Sequence, residues 1–407
     1  MARSTINLFI DMSRIGEGSR HPRYVCTGRL FALGLLATLS GVAGSAQRNK
    51  DQGEFSRFVG DAPRRALPYA NDLSTKLTRK DIAAALEKVA DWQLKRSKTH
   101  FDTDWTFAVL YTGFMAVPES VAGNKYKDAM EAMGGSLHWE MGPDELDAND
   151  LTVGQTYLDL YELKKNPLAL QAVKKRVDAI IKDAELGERP LWWWCDALFM
   201  APATLAKLSR ITGDKRYFDY MDEQWWKTSS LLYDQKHALF YRDSRFLSRH
   251  EANGEPVFWS RGNGWVLAGL ARALQAMPND YPSRPRYVAQ FRAMAASLAH
   301  LQQPNGLWTA GLLDPLSYPA DETSGTGLIT YGLAWGINSG TLDEETYAPY
   351  VELAWRGLVG HIFADGRLGA VQKVADSPGH LKATSSYVYG VGAFLLAGSE
   401  VHGLAKE

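Results

Sequence analysis

The chain has 407 residues, 45% hydrophobic and 22% charged, the balance of a globular protein and not of a disordered or fibrous one. A formal net charge of -1 leaves no electrostatic footprint for nucleic acid or an anionic membrane. The two cysteines, Cys26 and Cys195, are too few for a cysteine-built zinc site, and Cys26 falls in a segment expected to be removed, which leaves one thiol and no disulfide.

The N-terminus has the order of an export signal. Arg20, Arg23 and Arg29 lead into the apolar run 30–39, followed by the small residues of 41–46. That run is too short to anchor in a bilayer. Residues 1–46 are therefore predicted to be a signal peptide, and the mature protein is expected to be exported, periplasmic or extracellular, without membrane contact after cleavage. Residues 47–78 read as a polar linker, and 79–407 as one large domain.

From there two helix types alternate. Amphipathic, charged helices are predicted over 81–96, 124–133, 169–184, 215–228, 284–303 and 344–361, with apolar residues at helical spacing. Between them come helices rich in Gly, Ala and Leu with few charges, as expected for helices buried all round. These are predicted to begin near Trp105, Leu151, Trp194, Gly264, Gly325 and Ser385. Six helical hairpins have one compact closed solution, an inner ring of parallel helices inside an outer ring. The fold class is thus all-α, an (α/α)6 barrel, with an open helical solenoid as the alternative. Such a ring gathers the N-termini of all inner helices at one end, where unpaired N–H groups favour an anionic ligand.

The unusual residues fall at that end. Trp192-Trp193-Trp194-Cys195-Asp196 opens the third inner helix, and an acid there is rarely buried without a partner or a purpose. Asp150 precedes the second inner helix, and both acids have a capping reading beside a functional one. Indole faces suit sugar rings as well as a core, which makes Trp105, Trp194, Trp259 and Trp265 candidate substrate contacts. Between Lys236 and Arg261 five Lys/Arg face three acids, and an arginine fork is the usual partner of a carboxylate. Arg261 is expected to be that ligand, with Arg242 and Arg245 as salt-bridged surface groups. Glu322 reads as a cap or an arginine partner, and Cys195 as a small buried hydrophobe. No metal-ligand spacing, phosphate loop or nucleophile elbow is present in the sequence, so no cofactor or metal is expected.

Four stretches together carry a resemblance: Trp194-Cys195-Asp196-Ala197-Leu198-Phe199-Met200, Thr212-Gly213-Asp214, Trp259-Ser260-Arg261-Gly262-Asn263-Gly264-Trp265 and Glu322-Thr323-Ser324. They resemble glycoside hydrolase family 105, the unsaturated rhamnogalacturonyl hydrolases, close kin of the unsaturated glucuronyl hydrolases of family 88. The resemblance spans about Thr78 to the C-terminus and implies the same (α/α)6 barrel. It implies a substrate with a Δ4,5-unsaturated uronic acid at its end, the product of a polysaccharide lyase. Asp196 would protonate C4 and help water add at C5, with Asp150 binding or orienting the substrate. Trp194, Arg261 and Trp265 match the family's pocket positions. One departure stands out: where relatives often carry histidine in the loop after the fourth outer helix, this chain has Phe240-Tyr241-Arg242-Asp243. Arg242 would either replace that group or turn outward, and the loop borders the leaving sugar. Rival readings are another (α/α)6 enzyme, such as a conventional glycosidase or a sugar epimerase, and a non-catalytic carbohydrate-binding protein. The epimerase lacks its paired histidines, and the binding protein leaves Asp196 without a task.

Overall fold

The computed structural model describes residues 58–184 and 191–405, which belong to one compact unit, Gly53–Glu407. The segment expected as a signal peptide lies outside the described residues. Six outer helices are α1 (Arg79–Ser97), α3 (Lys125–Ser136), α5 (Pro167–Ala184), α7 (Arg216–Leu232), α9 (Arg284–His300) and α11 (Glu344–Gly360). Six inner helices alternate with them: α2 (Trp105–Ala116), α4 (Thr152–Lys164), α6 (Pro202–Thr212), α8 (Ser260–Ala276), α10 (Thr323–Asn338) and α12 (Val388–Leu404).

The inner helices touch in the order α2, α4, α6, α8, α10, α12 and back to α2, so the ring is closed and the open solenoid is ruled out. Each outer helix packs on the inner ring: α3 against α2 and α4, for example, and α9 against α8 and α10. The composition explains the layering. Nearly every residue of α8 and α10 is buried, as is the run Val388–Gly398 of α12, whereas α7 buries one stripe of nine residues, among them Tyr217, Met221 and Trp225. Ring closure depends on a close backbone approach. A Cβ on Gly113 of α2 would lie 2.7 Å from the Gly392 carbonyl oxygen, and one on Gly392 of α12 would lie 2.4 Å from that of Val109.

Caps set the helix starts. Thr78 Oγ1 accepts the Asp81 N–H and donates to the Asp81 carboxylate, a reciprocal clamp on the first turn of α1. Asp104 caps α2 through the Thr106 N–H, and Glu322 caps α10 through the N–H groups of Ser324 and Gly325. The third inner helix departs from expectation. A single turn at Ala197–Met200 precedes Pro202, whose missing N–H suits a helix start, so the chain re-initiates there as α6. Strands are limited to two-residue antiparallel ladders among the described residues, one of which pairs Gly60–Asp61 with Ser386–Tyr387. The stretch expected as a linker is thus docked on the start of α12 from Gly60 onward.

Candidate active site

The tryptophan triplet runs as extended chain and so alternates its faces. Trp192 is buried, Trp193 is half exposed and Trp194 is buried again. An isolated bridge joins Trp194 to Asp243, and the Cys195 N–H donates to the Arg242 carbonyl at 2.8 Å. This short pairing seats Arg242 directly beside Asp196. The two residues lie forty-six positions apart, and only the excursion after α7 brings them together.

Asp196 stands at the mouth of the turn Ala197–Met200, in the capping position, yet its side chain accepts no cap hydrogen bond. Asp104, Asp147, Asp243, Glu322 and Asp343 all do at their own helix or turn starts. The capping reading therefore fails for Asp196. Its carboxyl receives one weak bond, from Cys195 Sγ at 3.2 Å, and Arg242 Nε lies 3.9 Å from its Oδ2. Burial pushes its pKa above the ordinary carboxyl value, against the opposing pull of Arg242, the Cys195 thiol and Arg261. Burial and the neighbouring Asp196 push the Cys195 thiol well above its own ordinary value. Cys195 is therefore no nucleophile.

Arg242 is itself fastened. Its Nη1 donates to Asp243 Oδ2 at 2.8 Å, and Arg245 holds the same carboxylate through Nε and Nη2. Burial alone would raise Asp243, but the hydrogen bonds from Arg245 and Arg242 outweigh it and hold its pKa at about 2. The Arg242 guanidinium also lies over the Trp193 ring, 5.6 Å from its centre.

Asp150 sits in the short turn Ala148–Leu151, which packs against Ala197–Met200. It does not cap α4, whose start has no side-chain cap. Instead Oδ2 accepts the Asp144 N–H at 2.5 Å. Arg176 of α5 braces the same loop through the carbonyls of Gly142 and Asp144. Burial raises the Asp150 pKa to about 6, with the Asp144 N–H opposing and Asp147 adding to the rise.

The structure redistributes the expected substrate contacts. Arg261, expected as the carboxylate ligand, is 1% exposed and gives Nη1 to the Gln372 carbonyl at 2.8 Å and Nη2 to that of Lys373 at 2.9 Å. It is stacked between Trp259 and Tyr389 and holds a loop. Arg242, expected either to replace the family's histidine at the site or to turn outward, lies beside the acid. Trp259 and Trp265 are fully buried; Trp259 Nε1 donates to Gln372 and Trp265 packs on Phe199. They are core, because the first turn of α8 is enclosed on every side. Trp105 is partly exposed and stacks on Tyr389. Glu322 is a buried cap that also accepts the Gln372 N–H, the structural role expected of it.

A cavity of about 690 Å³ opens in front of this group, lined by Trp193, Trp194, Arg242, Asp144, Asp147 and Asn149 with leucines at 146, 191 and 231. Of the expected substrate contacts, Trp194 and Arg242 reach it. Trp193 and the 144–149 loop were not anticipated. The alternation of faces within the triplet could have singled out Trp193, and nothing in the sequence marks the loop. Among the described residues, no group of three or more His, Cys, Asp or Glu side chains is placed to hold a metal ion.

Comparison with known proteins agrees with this architecture. Residues 80–405 match the family model of Glycosyl Hydrolase Family 88. An unsaturated 3S-rhamnoglycuronyl hydrolase of Formosa agariphila is 37% identical over 344 residues, 80% of this chain and 91% of that protein. A protein of the same description from Alteromonas sp. (strain LOR) is 31% identical over 403 residues, 91% of this chain and 96% of its own length. A solved family 88 hydrolase from Bacteroides vulgatus superposes with a TM-score of 0.76 at 31% identity, covering 80% of this chain and 99% of that one. The sequence resemblance to the paired families 105 and 88 thus holds, and the chain belongs to glycosyl hydrolase family 88.

Proposed function

We propose that this protein removes a Δ4,5-unsaturated uronic acid from the end of oligosaccharides produced by polysaccharide lyases. The observation that carries the reading is Asp196: a buried acid at a helix mouth, released from capping, with a raised pKa, whose neighbours Trp194 and Arg242 line a cavity. A carboxyl whose pKa is shifted upward by burial is better suited to act as a general acid than a free one.

The chemistry is hydration of an enol ether. Asp196 delivers its proton to C4 of the C4=C5 bond, and positive charge develops at C5, shared with the ring oxygen. Water adds at C5 and returns a proton to the Asp196 carboxylate, so the acid is regenerated. The product is a hemiketal, which opens to the keto form and releases the neighbouring sugar. One carboxyl serves in both directions, so a fixed pair of glycosidase carboxylates is not needed. Asp150 orients the substrate from the neighbouring turn. Trp194 and the half-exposed Trp193 offer indole faces to the sugars. The apolar run and cleavage-type residues within 30–46 support export of the mature protein.

The test follows the ultraviolet absorbance of the C4=C5 bond with oligosaccharides from pectin, glycosaminoglycan or ulvan lyases. Absorbance should fall with wild type, and Asp196→Asn should slow the loss by roughly 10²–10⁴-fold, the usual contribution of a positioned acid. Hydrolysis of saturated substrates with every unsaturated one left intact would refute the assignment.

A further inference from the structure

Arg242 has a free edge. Its Nη1 is committed to Asp243, and Nε is buried without any hydrogen-bond partner. The hydrogen bonds of this side chain end there, so the Nε and Nη2 side of the guanidinium, the side that forks onto an oxyanion, is unoccupied. A buried donor left unpaired is unfavourable, and an acceptor brought by a ligand would relieve it. Three neighbours fix where the edge lies. The Asp196 carboxyl is 3.9 Å from Nε, Trp193 lies under the guanidinium plane, and the cavity begins at Arg242 itself. The competing anion, Asp243, is already neutralised by Arg242 Nη1 and by two nitrogens of Arg245. The acids Asp144 and Asp147 also face the cavity, Asp147 spending one oxygen on the Asn149 N–H.

We infer that the Nε/Nη2 edge of Arg242, floored by Trp193, is an anion subsite that grips an oxyanion of the substrate next to the atoms that Asp196 protonates. Two groups supply that chemistry: the carboxylate of the unsaturated uronate, or a sulfate ester on the sugar being released. The inference rests on the unsaturated-uronyl reading for its substrate and on this chain's own geometry for its site. It makes the contact at Arg242, which lines the cavity, and not at the buried Arg261, whose Nη1 and Nη2 are both committed to backbone carbonyls.

The test has two independent parts. Inorganic sulfate should quench the fluorescence of Trp193 in wild type, and Arg242→Gln should abolish the quench while melting as wild type does. The second part compares kcat/KM on three unsaturated disaccharides: unsulfated, sulfated on the leaving sugar, and unsulfated with the uronate methyl-esterified. Arg242→Gln should lose about ten- to a hundredfold, the worth of a charged hydrogen bond. Loss on the first two alone assigns the carboxylate, and loss confined to the sulfated one assigns the sulfate. Arg242→Lys should recover only part, since it keeps the charge and loses the fork. Equal loss on all three, the ester included, overturns the subsite, because Arg242 would then act only through Asp196. So does an unchanged quench, or kcat/KM within about twofold of wild type throughout. If no unsaturated substrate is consumed by wild type while the sulfate quench depends on Arg242, the subsite stands and the reading of the reaction falls.

Discussion

Arg242 Nε stands 3.9 Å from Asp196 Oδ2, near enough for Coulombic attraction and too far for a hydrogen bond. Two opposing effects therefore meet at Asp196. Burial favours its neutral form, and the guanidinium favours its charged form; burial is the stronger, and the net direction is upward. A carboxyl placed this way holds its proton more firmly than a free one, and a cation stands near to stabilise the anion left after delivery.

The pH profile should report that balance. Asp196 must carry its proton to act, so kcat is expected to fall as pH rises through its pKa. Arg242→Gln removes the cation that stabilises the carboxylate, so the basic limb of the profile should move to higher pH. A limb that stays in place or moves down would mean that Asp196 is not the titrating acid.

Asp150 gives a prediction about stability. Its pKa rises from 3.8 to about 6 on folding, so between those values the folded protein binds a proton that the unfolded chain does not. Stability contributed by this group is therefore present below about pH 4 and is lost as pH rises through about 6. Asp150→Asn keeps an oxygen for the Asp144 N–H and removes the titration. The variant should melt higher than wild type at about pH 7, with the advantage shrinking toward about pH 4. Melting curves at the two ends of that range decide it.

Gly142 offers a route to the same carboxyl from the other side. A Cβ there would meet Asp150 Cγ at 2.1 Å and Oδ1 at 2.2 Å, so Gly142→Ala must displace the side chain. Activity should drop toward that of Asp150→Ala. In the double variant the glycine substitution should cost little more, since the group it displaces is already gone. Additive losses in this cycle would separate the two residues.

The barrel was legible because its signals repeat. Charged amphipathic helices and helices buried all round alternate six times, and apart from the start of α6 the observed boundaries fall within a few residues of the pattern, as at α10, expected near Gly325 and starting at Thr323. The site was legible only where it was local. Asp196 and Trp194 lie in one short run, so their neighbourhood at the mouth of the turn Ala197–Met200 follows from the sequence alone. The placement of Arg242 beside Asp196 and of Arg261 against backbone carbonyls was not legible, because it depends on the Trp194–Asp243 bridge and on the carbonyls of Gln372 and Lys373, contacts made across more than forty and more than a hundred residues. An arginine next to glycines at a helix mouth reads alike whether it meets a ligand or a backbone carbonyl. The burial of Trp259 and Trp265 escaped for the same reason, since indole-rich helix starts serve core and pocket equally.

Arg261 can be separated from Arg242 by the kind of damage each causes. Replacing Arg261 with leucine removes the donor to the Lys373 carbonyl, whereas the Gln372 carbonyl keeps a bond from the Tyr389 hydroxyl. The loss of a bond to this part-buried carbonyl and of the stacking between Trp259 and Tyr389 both loosen the loop. Arg261→Leu should therefore lower the denaturant midpoint clearly, and its loss in kcat/KM should not depend on whether the substrate carries a carboxylate or its methyl ester. Arg242 variants should show the reverse, near-native stability with a loss that depends on the substrate's charge. A charge-dependent loss at Arg261 with unchanged stability would return the ligand role to it. Denaturant curves and the esterified disaccharide, applied to both variants, distinguish a brace from a binding group.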